Sequence, residues 1–183
     1  MNREEALDSV RANIVNVSLI KHMLATEVIM RALAKRLGEN EEEWGLTGLL
    51  HDIDMELTEG NMSTHGKLGA DLARELGASE ASTHAILSHN ETHAISLETK
   101  LAKALFCADP LTGLITATAL IRPDKKLVGV ELKSVMKKFK EKGFAAGVKR
   151  EQISMCRDIG IRLDDFVEIG LESMKQIADD LGL

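Results

Sequence analysis

Apolar residues recur at three- and four-residue steps along most of the chain, which is the period of an amphipathic helix. No segment of useful length alternates apolar and polar residues as a strand would, so the pattern predicts an all-α fold. Helices are predicted from Asn2 to about residue 14 and over about 18–37, 41–52, 66–76 and 79–89, with one more after Ser96 and three or so beyond it. Residues 53–64 are predicted to form a polar connecting loop.

Three ionisable side chains fall on the predicted inward faces of these helices. His22 lies on the apolar stripe of the second helix, His89 on that of the fifth, and Asp109 at the end of the apolar stripe that follows Ser96. A buried polar group is costly unless it is hydrogen-bonded or coordinated. Each residue also has an ordinary explanation: a core histidine bonded to a backbone carbonyl, or an aspartate N-cap followed by Pro110 at the first helical position.

The segment Leu49-Leu50-His51-Asp52 places an imidazole beside a carboxylate directly after two apolar residues. Neighbours on a helix point about 100° apart, so both groups converge on one point only if it lies off the helix end or flank. A metal ion is the simplest such point, and capping of the helix C-terminus is the alternative. Gly45 and Gly48 lower helix propensity in the same helix, which indicates the close approach of another element or a ligand.

Two further histidines are less informative by position. His84 is predicted to lie on a different, exposed face of the fifth helix, and His93 falls in a loop where its role is undecided.

Composition narrows the class of protein. At 183 residues the chain is predicted to form a single domain, and its net charge of −6 argues against a general nucleic-acid or membrane-surface binder. Two separated cysteines without a CxxC motif, and a charged N-terminus without an apolar signal region, predict a cytoplasmic protein with reduced thiols. Residues 122–150 are locally basic, with ten Lys/Arg and three Asp/Glu, which indicates a solvated helix face or a docking surface for an anionic partner.

The candidate ligands form a coherent set when they are taken together. They are His22, His51, Asp52, His65, His89 and Asp109, from five helices or helix ends. Helices of a bundle that each project one N or O ligand inward can build a metal site in its interior. Imidazole and carboxylate without thiolate suit Mn, Fe, Co, Ni or Zn, which the sequence does not distinguish.

The order His22, then His51-Asp52, then Asp109 resembles the H…HD…D signature of the HD-domain superfamily of metal-dependent phosphohydrolases. The flanks resemble its HDIG branch: "GLLHDID" is similar to the "LLHDIG" core, and "STHGKLGADLARELG", "AILSHNE" and "LAKALFCAD" to the helices that follow. The similarity covers about residues 18–114, which would form the metal-binding core, with 115–183 as a helical extension packed on it. The chain departs from the HDIG pattern at Asp54, where Gly is usual, and at Met55, where many members have Lys.

The resemblance implies an HD-type helical bundle that holds one or two divalent metal ions. By this implication His22, His51, Asp52 and Asp109 ligate the first ion, His65 and His89 serve a second, and Asp52 bridges both and orients water. By position alone, Asp54 or Glu56 is a candidate proton acceptor or orienter of that water.

The resulting hypothesis is a metal-dependent phosphohydrolase of a nucleotide or other small phosphoester, with no nucleic-acid or membrane partner. An HD-fold di-iron oxygenase and a catalytically idle domain that senses a ligand or partner are the alternatives. The sequence identifies neither the substrate nor the oligomeric state.

Overall fold

A computed structural model describes all residues from 1 to 183 and contains ten α-helices and no strand. The all-α prediction is therefore confirmed. The helices are α1 (Arg3–Asn13), α2 (Val17–Leu37), α3 (Glu41–Leu50), α4 (Lys67–Glu75), α5 (Glu80–His89), α6 (Lys100–Leu120), α7 (Leu132–Lys140), α8 (Arg150–Ser154), α9 (Leu163–Gln176) and α10 (Ala178–Leu181). No helix combines the length and the apolar character needed to cross a bilayer.

Side chains and backbone conformation explain most of the helix ends. Asn2 and Glu5 form a reciprocal capping box at α1, because each side chain accepts a hydrogen bond from the other residue's backbone N–H. Gly38 ends α2 in the left-handed region at φ 71°. Ser79 caps α5 by accepting from the Ser82 N–H. These ends lie where the sequence pattern predicts them.

The start of α6 differs from the prediction. Thr99 caps this helix by accepting from the Ala102 N–H, and Ser96 lies four residues before the first helical position. The alternative in which Asp109 and Pro110 begin a helix is also wrong, since α6 runs through both residues from Lys100 to Leu120. Pro110 removes only one backbone donor, and the two apolar turns on either side bury enough surface to keep the helix continuous.

Two apolar clusters hold the helices together. The larger contains 30 buried residues, which come from α2, α3, each helix from α5 to α10, the segments between these helices, and the last residue of the chain. The smaller contains 11 buried residues from α1 to α5 and the turns after α1 and α3. Phe139 and Phe144 pack partly buried against the larger cluster. The helices that follow residue 114 therefore share their apolar core with α2 and α6.

Glycine permits the closest approach of α2 and α3. A Cβ built on Gly48 would lie 2.9 Å from the Thr26 carbonyl oxygen and 3.0 Å from Met30 Cγ, while one on Gly45 would meet the Arg31 side chain. The close approach predicted from these glycines is present, and its agent is another helix. It brings the end of α3 beside His22 of α2.

The contact predicts the effect of Gly48→Ala. The added methyl group must displace the Thr26 backbone, and this overpacking lowers the free energy of unfolding by about 1–3 kcal/mol. The higher helix propensity of alanine offsets part of this loss. Urea denaturation followed by circular dichroism measures the change. Gly143→Ala is the matched control, because nothing lies within 4 Å of a Cβ at that position. Equal denaturation midpoints for the two variants would contradict this account of the packing.

Candidate metal centre

Side chains from two helices and from the end of a third meet at a single point. His22 comes from the middle of α2, His51 is the residue that ends α3, Asp52 follows it, and Asp109 lies in the middle of α6. His22 Nε2 lies 3.1 Å from His51 Nε2, 3.4 Å from Asp52 Oδ2 and 3.2 Å from Asp109 Oδ1. His51 Nε2 lies 3.3 Å from Asp52 Oδ2. The structure thus brings together the first set of four candidate ligands.

The other oxygen of Asp52 faces a second group. His65 Nε2 and His89 Nε2 each lie 3.4 Å from Asp52 Oδ1 and 3.2 Å from one another. His65 precedes α4 and His89 is the last residue of α5. The Asp52 carboxylate therefore separates two pairs of imidazoles, with one oxygen directed at each pair.

Every histidine of the centre is oriented by a hydrogen bond at Nδ1. His51 Nδ1 donates to the Gly48 carbonyl, His89 Nδ1 to the Ile86 carbonyl, and His65 Nδ1 to the Asp54 carboxylate. His22 Nδ1 donates to Thr112 Oγ1, whose own hydroxyl donates to the Asp109 carbonyl. These acceptors place the proton on Nδ1 and leave the Nε2 lone pairs pointing inward, as in histidines that bind metals.

This arrangement fits a bound cation. Two Nε2 lone pairs about 3 Å apart repel each other unless a proton or a metal ion lies between them. Two groups of three residues in this centre, His22 with His51 and Asp109, and His51 with Asp52 and His89, have ligand atoms within 4.8 Å of one another. The donors are nitrogen and carboxylate oxygen, which divalent transition metals accept.

The electrostatics of the centre also favour positive charge. Burial lowers the pKa of His22, but hydrogen bonds to Asp109 and Asp52 outweigh it and raise this pKa to about 10. Burial likewise opposes ionisation of Asp52, yet the neighbouring histidines hold the pKa of its carboxyl well below the usual range. Both shifts have the same cause, because two carboxylates in a buried site stabilise any cation placed between them.

Asp54 lies behind the centre and orients it. It is fully buried, and its oxygens accept from His65 Nδ1 and from the backbone N–H groups of Gly66 and Gly69, each at 2.7 Å. A Cβ on Gly69 would lie 3.1 Å from Asp54 Cγ, so glycine gives the carboxylate access to the first turn of α4. Asp54 is not among the residues that line the cavity, so its contacts do not support the proton-acceptor or water-orienting role predicted from its position.

Glu56 does not reach the centre either. Its carboxylate accepts from the backbone N–H groups of Val15 and Asn16, before the start of α2, and it does not line the cavity. These contacts likewise do not support the proton-acceptor or water-orienting role predicted from its position in the sequence.

The two remaining histidines, His93 and His84, lie outside the set of candidate ligands. His93 Nε2 donates to the His65 carbonyl at 2.7 Å, and Asn90 Nδ2 donates to the same oxygen, so both fix the backbone that carries His65. The predicted exposure of His84 is wrong, since this residue is partly buried and both ring nitrogens are covered without a hydrogen-bond partner.

A cavity of about 300 Å³ opens onto the centre. Its walls include His22, Asp52, His65, His89 and Asp109 from the centre itself. The other walls are Met55 and Met62 from the turns after α3, Asn90 and Glu91 after α5, Pro110, Thr112 and Gly113 of α6, and Gly147, Val148, Lys149 and Gln152 near α8. A volume of this size suits a small ligand or one part of a larger one.

Several residues of the site are absent from the sequence-based prediction. Thr112 follows Asp109 by one helical turn, and that spacing is a usable signal for a residue supporting it. Lys149 and Gln152 carry no such signal, because they approach the cavity only through the packing of α8 against α6. Glu91 reaches it from the turn that follows α5.

The matches to known proteins cover the same part of the chain as the centre. The model of the HD domain family matches residues 19–114. Ribonuclease Y of Syntrophobacter fumaroxidans and ribonuclease Y of Pelobacter propionicus are each 33% identical over 96 residues, 52% of this chain and 18% of those proteins. Ribonuclease Y of Thermobifida fusca is 33% identical over 97 residues, 19% of its length. The chain thus spans less than a fifth of the length of these relatives. The family match extends over more than half of the chain and includes all six candidate ligands, so this protein belongs to the HD domain family.

Proposed function

We propose that this protein is a metal-dependent phosphohydrolase that acts on a nucleotide or another small phosphoester. The observation that carries the proposal is the Asp52 carboxylate, which directs one oxygen to His22 and His51 and the other to His65 and His89. HD domains bind divalent metals, and this buried group of histidines and aspartates fits such a site.

The geometry supports a centre for two ions. His22, His51, Asp52 and Asp109 would hold the first ion, and His65 and His89 would hold the second, with Asp52 shared. The metal identity among Mn, Fe, Co, Ni and Zn is left to measurement, because ligand type alone rarely selects among them.

When bound, divalent ions at this place supply Lewis acidity that lowers the pKa of water from about 15.7 to about 7 and neutralises part of a phosphoryl group's charge. The protein provides orientation. Asp52 and Asp109 both line the cavity and can accept hydrogen bonds from an attacking water. Asp109 is the more open of the two, with 32% of its side chain exposed against 8% for Asp52. The Nδ1 hydrogen bonds keep the four imidazoles fixed during the reaction, which lowers the cost of reorganisation.

Two observations bear on the substrate. The cavity of about 300 Å³ and the overall charge of −6 favour a small phosphoester over nucleic acid. The matched relatives are named ribonucleases, which points to phosphodiesters of RNA. A substrate panel therefore includes nucleoside monophosphates, cyclic nucleotides, simple sugar phosphates and a single-stranded RNA oligonucleotide. Preferential RNA cleavage would overturn the small-substrate part of the proposal.

The proposal predicts metal-dependent turnover that Asp52→Asn abolishes. Full-length protein purified without chelator should contain up to two divalent ions by elemental analysis, and release phosphate from a member of the panel. Loss of both ions removes several kcal/mol of transition-state stabilisation, so kcat should fall by about 10³-fold or more. Asp71→Asn is the control, because Asp71 is exposed and pairs with Arg74 on the surface.

Retained hydrolysis after complete metal removal would contradict the proposal. Oxygen consumption with two bound irons and no phosphate release would favour a di-iron oxygenase. Partner capture that survives Asp52→Asn without any turnover would favour a sensing domain.

A separate prediction concerns Asp54. Asp54→Asn replaces the buried carboxylate that accepts hydrogen bonds from His65 Nδ1 and from the backbone N–H groups of Gly66 and Gly69. His65 is then no longer fixed in its tautomer and orientation. Affinity for the second ion should fall by about 10–100-fold, the usual effect of losing an outer partner of a histidine ligand, while the first ion is retained. Titration of metal-depleted protein measures both affinities, with Asp71→Asn again as the control. An equal loss of affinity for both ions, or no loss for either, would refute the role assigned to Asp54 as the support of His65.

A further inference from the structure

A segment outside the matched family region forms one wall of the cavity. Gly147, Val148, Lys149 and Gln152 line the same space as His22, Asp52 and Asp109, although the family match ends at residue 114. Gly113 of α6 lies in ordinary contact with this segment, since a Cβ there would be 3.4 Å from Val148 Cγ2. The C-terminal part of the chain therefore completes the site.

Arg150 fixes the position of this wall. Its side chain is buried, and its guanidinium donates to a ring of backbone carbonyl oxygens, those of Lys138, Phe139, Glu141, Phe144, Ala145 and Val148. No carboxylate accepts from Arg150, so backbone carbonyl oxygens alone surround its positive charge and fix the conformation of the loop. The neighbouring residue, Lys149, is consequently held at the cavity with a defined backbone position.

Lys149 and Gln152 share one partner across the cavity. Lys149 Nζ donates to Glu91 Oε1, and Gln152 Nε2 donates to Glu91 Oε2 at 2.9 Å. Glu91 belongs to the short 3₁₀ helix that follows His89, which places this group next to the second set of candidate ligands. About half of the Lys149 and Glu91 side chains is exposed, and exposed pairs of this kind contribute little to stability. Another anion can therefore replace the Glu91 carboxylate as the partner of Lys149.

Lys149 differs from the other residues of the cavity wall in its side-chain ammonium group. It is the single Lys or Arg among the residues that line the cavity. A carboxylate that accepts from an ammonium and an amide has the same two-oxygen geometry as a phosphoryl group. Glu91 thus occupies the place that an incoming phosphate group would take.

We propose that Lys149 Nζ and Gln152 Nε2 bind the phosphoryl oxygens of the substrate in exchange for the Glu91 carboxylate. The inference rests on the proposed function for the substrate class, and it assigns phosphate recognition to residues of the C-terminal extension. Glu91 acts as a placeholder that keeps both donors at the cavity when no substrate is bound.

Calorimetric titration of inorganic phosphate into the metal-loaded, full-length protein tests this assignment without requiring turnover. Lys149→Met should weaken phosphate binding by about tenfold or more, the scale of one charge-assisted hydrogen bond, with unchanged metal content. Lys149→Arg should restore most of the affinity. Lys142→Met is the matched control, because it removes one positive charge from the same segment without lining the cavity.

Glu91→Gln gives an independent readout. Removing the competing charge should leave phosphate affinity equal to that of the wild type or tighter, and a tenfold loss would overturn the exchange. Equal weakening by Lys149→Met and Lys142→Met, or a metal-loaded wild type that binds no phosphate, would overturn the assignment of Lys149. If phosphate binds and depends on Lys149 but no phosphoester is hydrolysed, the proposed function fails while this inference stands.

Discussion

The structure depends on a carboxylate buried between two pairs of imidazoles. Asp52 retains only 8% of its side-chain exposure, and a charge in that position is unfavourable unless opposite charge surrounds it. The protein supplies no Lys or Arg to the carboxylate. It presents four Nε2 atoms instead, and a hydrogen bond at Nδ1 fixes each ring from behind so that its Nε2 atom faces inward. A cation that shared this space would complete the arrangement, and its binding would then add to the stability of the helical core.

The elements that carry these side chains are held by contacts serving both the fold and the site. Gly48 lets α3 approach α2 closely enough for His22 and His51 to meet. Asp54 satisfies the N-terminal N–H groups of α4 and, with the same carboxylate, orients His65. Pro110 lies within a continuous α6 next to Asp109 and lines the cavity. Because the packing contacts and the ligand supports are the same groups, small displacements of the helices alter the geometry of the centre directly.

The C-terminal third has a different relation to the site. Its helices bury apolar surface against α2 and α6, and its basic segment changes the local charge of an otherwise acidic protein. Most lysines of that segment remain at the surface, whereas Arg150 is buried in a ring of carbonyl oxygens and holds Lys149 at the cavity. Segments outside residues 19–114 thus contribute part of the wall of the cavity in this chain.

The sequence by itself determined the all-α class and placed the ends of the first five helices to within a turn, because helical periodicity and caps are local signals. It also predicted six candidate ligands from the order of the His and Asp residues along the chain. Its N-cap alternative for Asp109 and its expected exposure of His84 were wrong, because the packing of whole helices decides both positions. Asp54 and Glu56 bind partners elsewhere and do not line the cavity, which no local signal indicates. Only the tertiary structure decided that Asp54 turns toward α4, that Glu56 binds the backbone before α2, and that Lys149 reaches the cavity, since each depends on how separate helices pack.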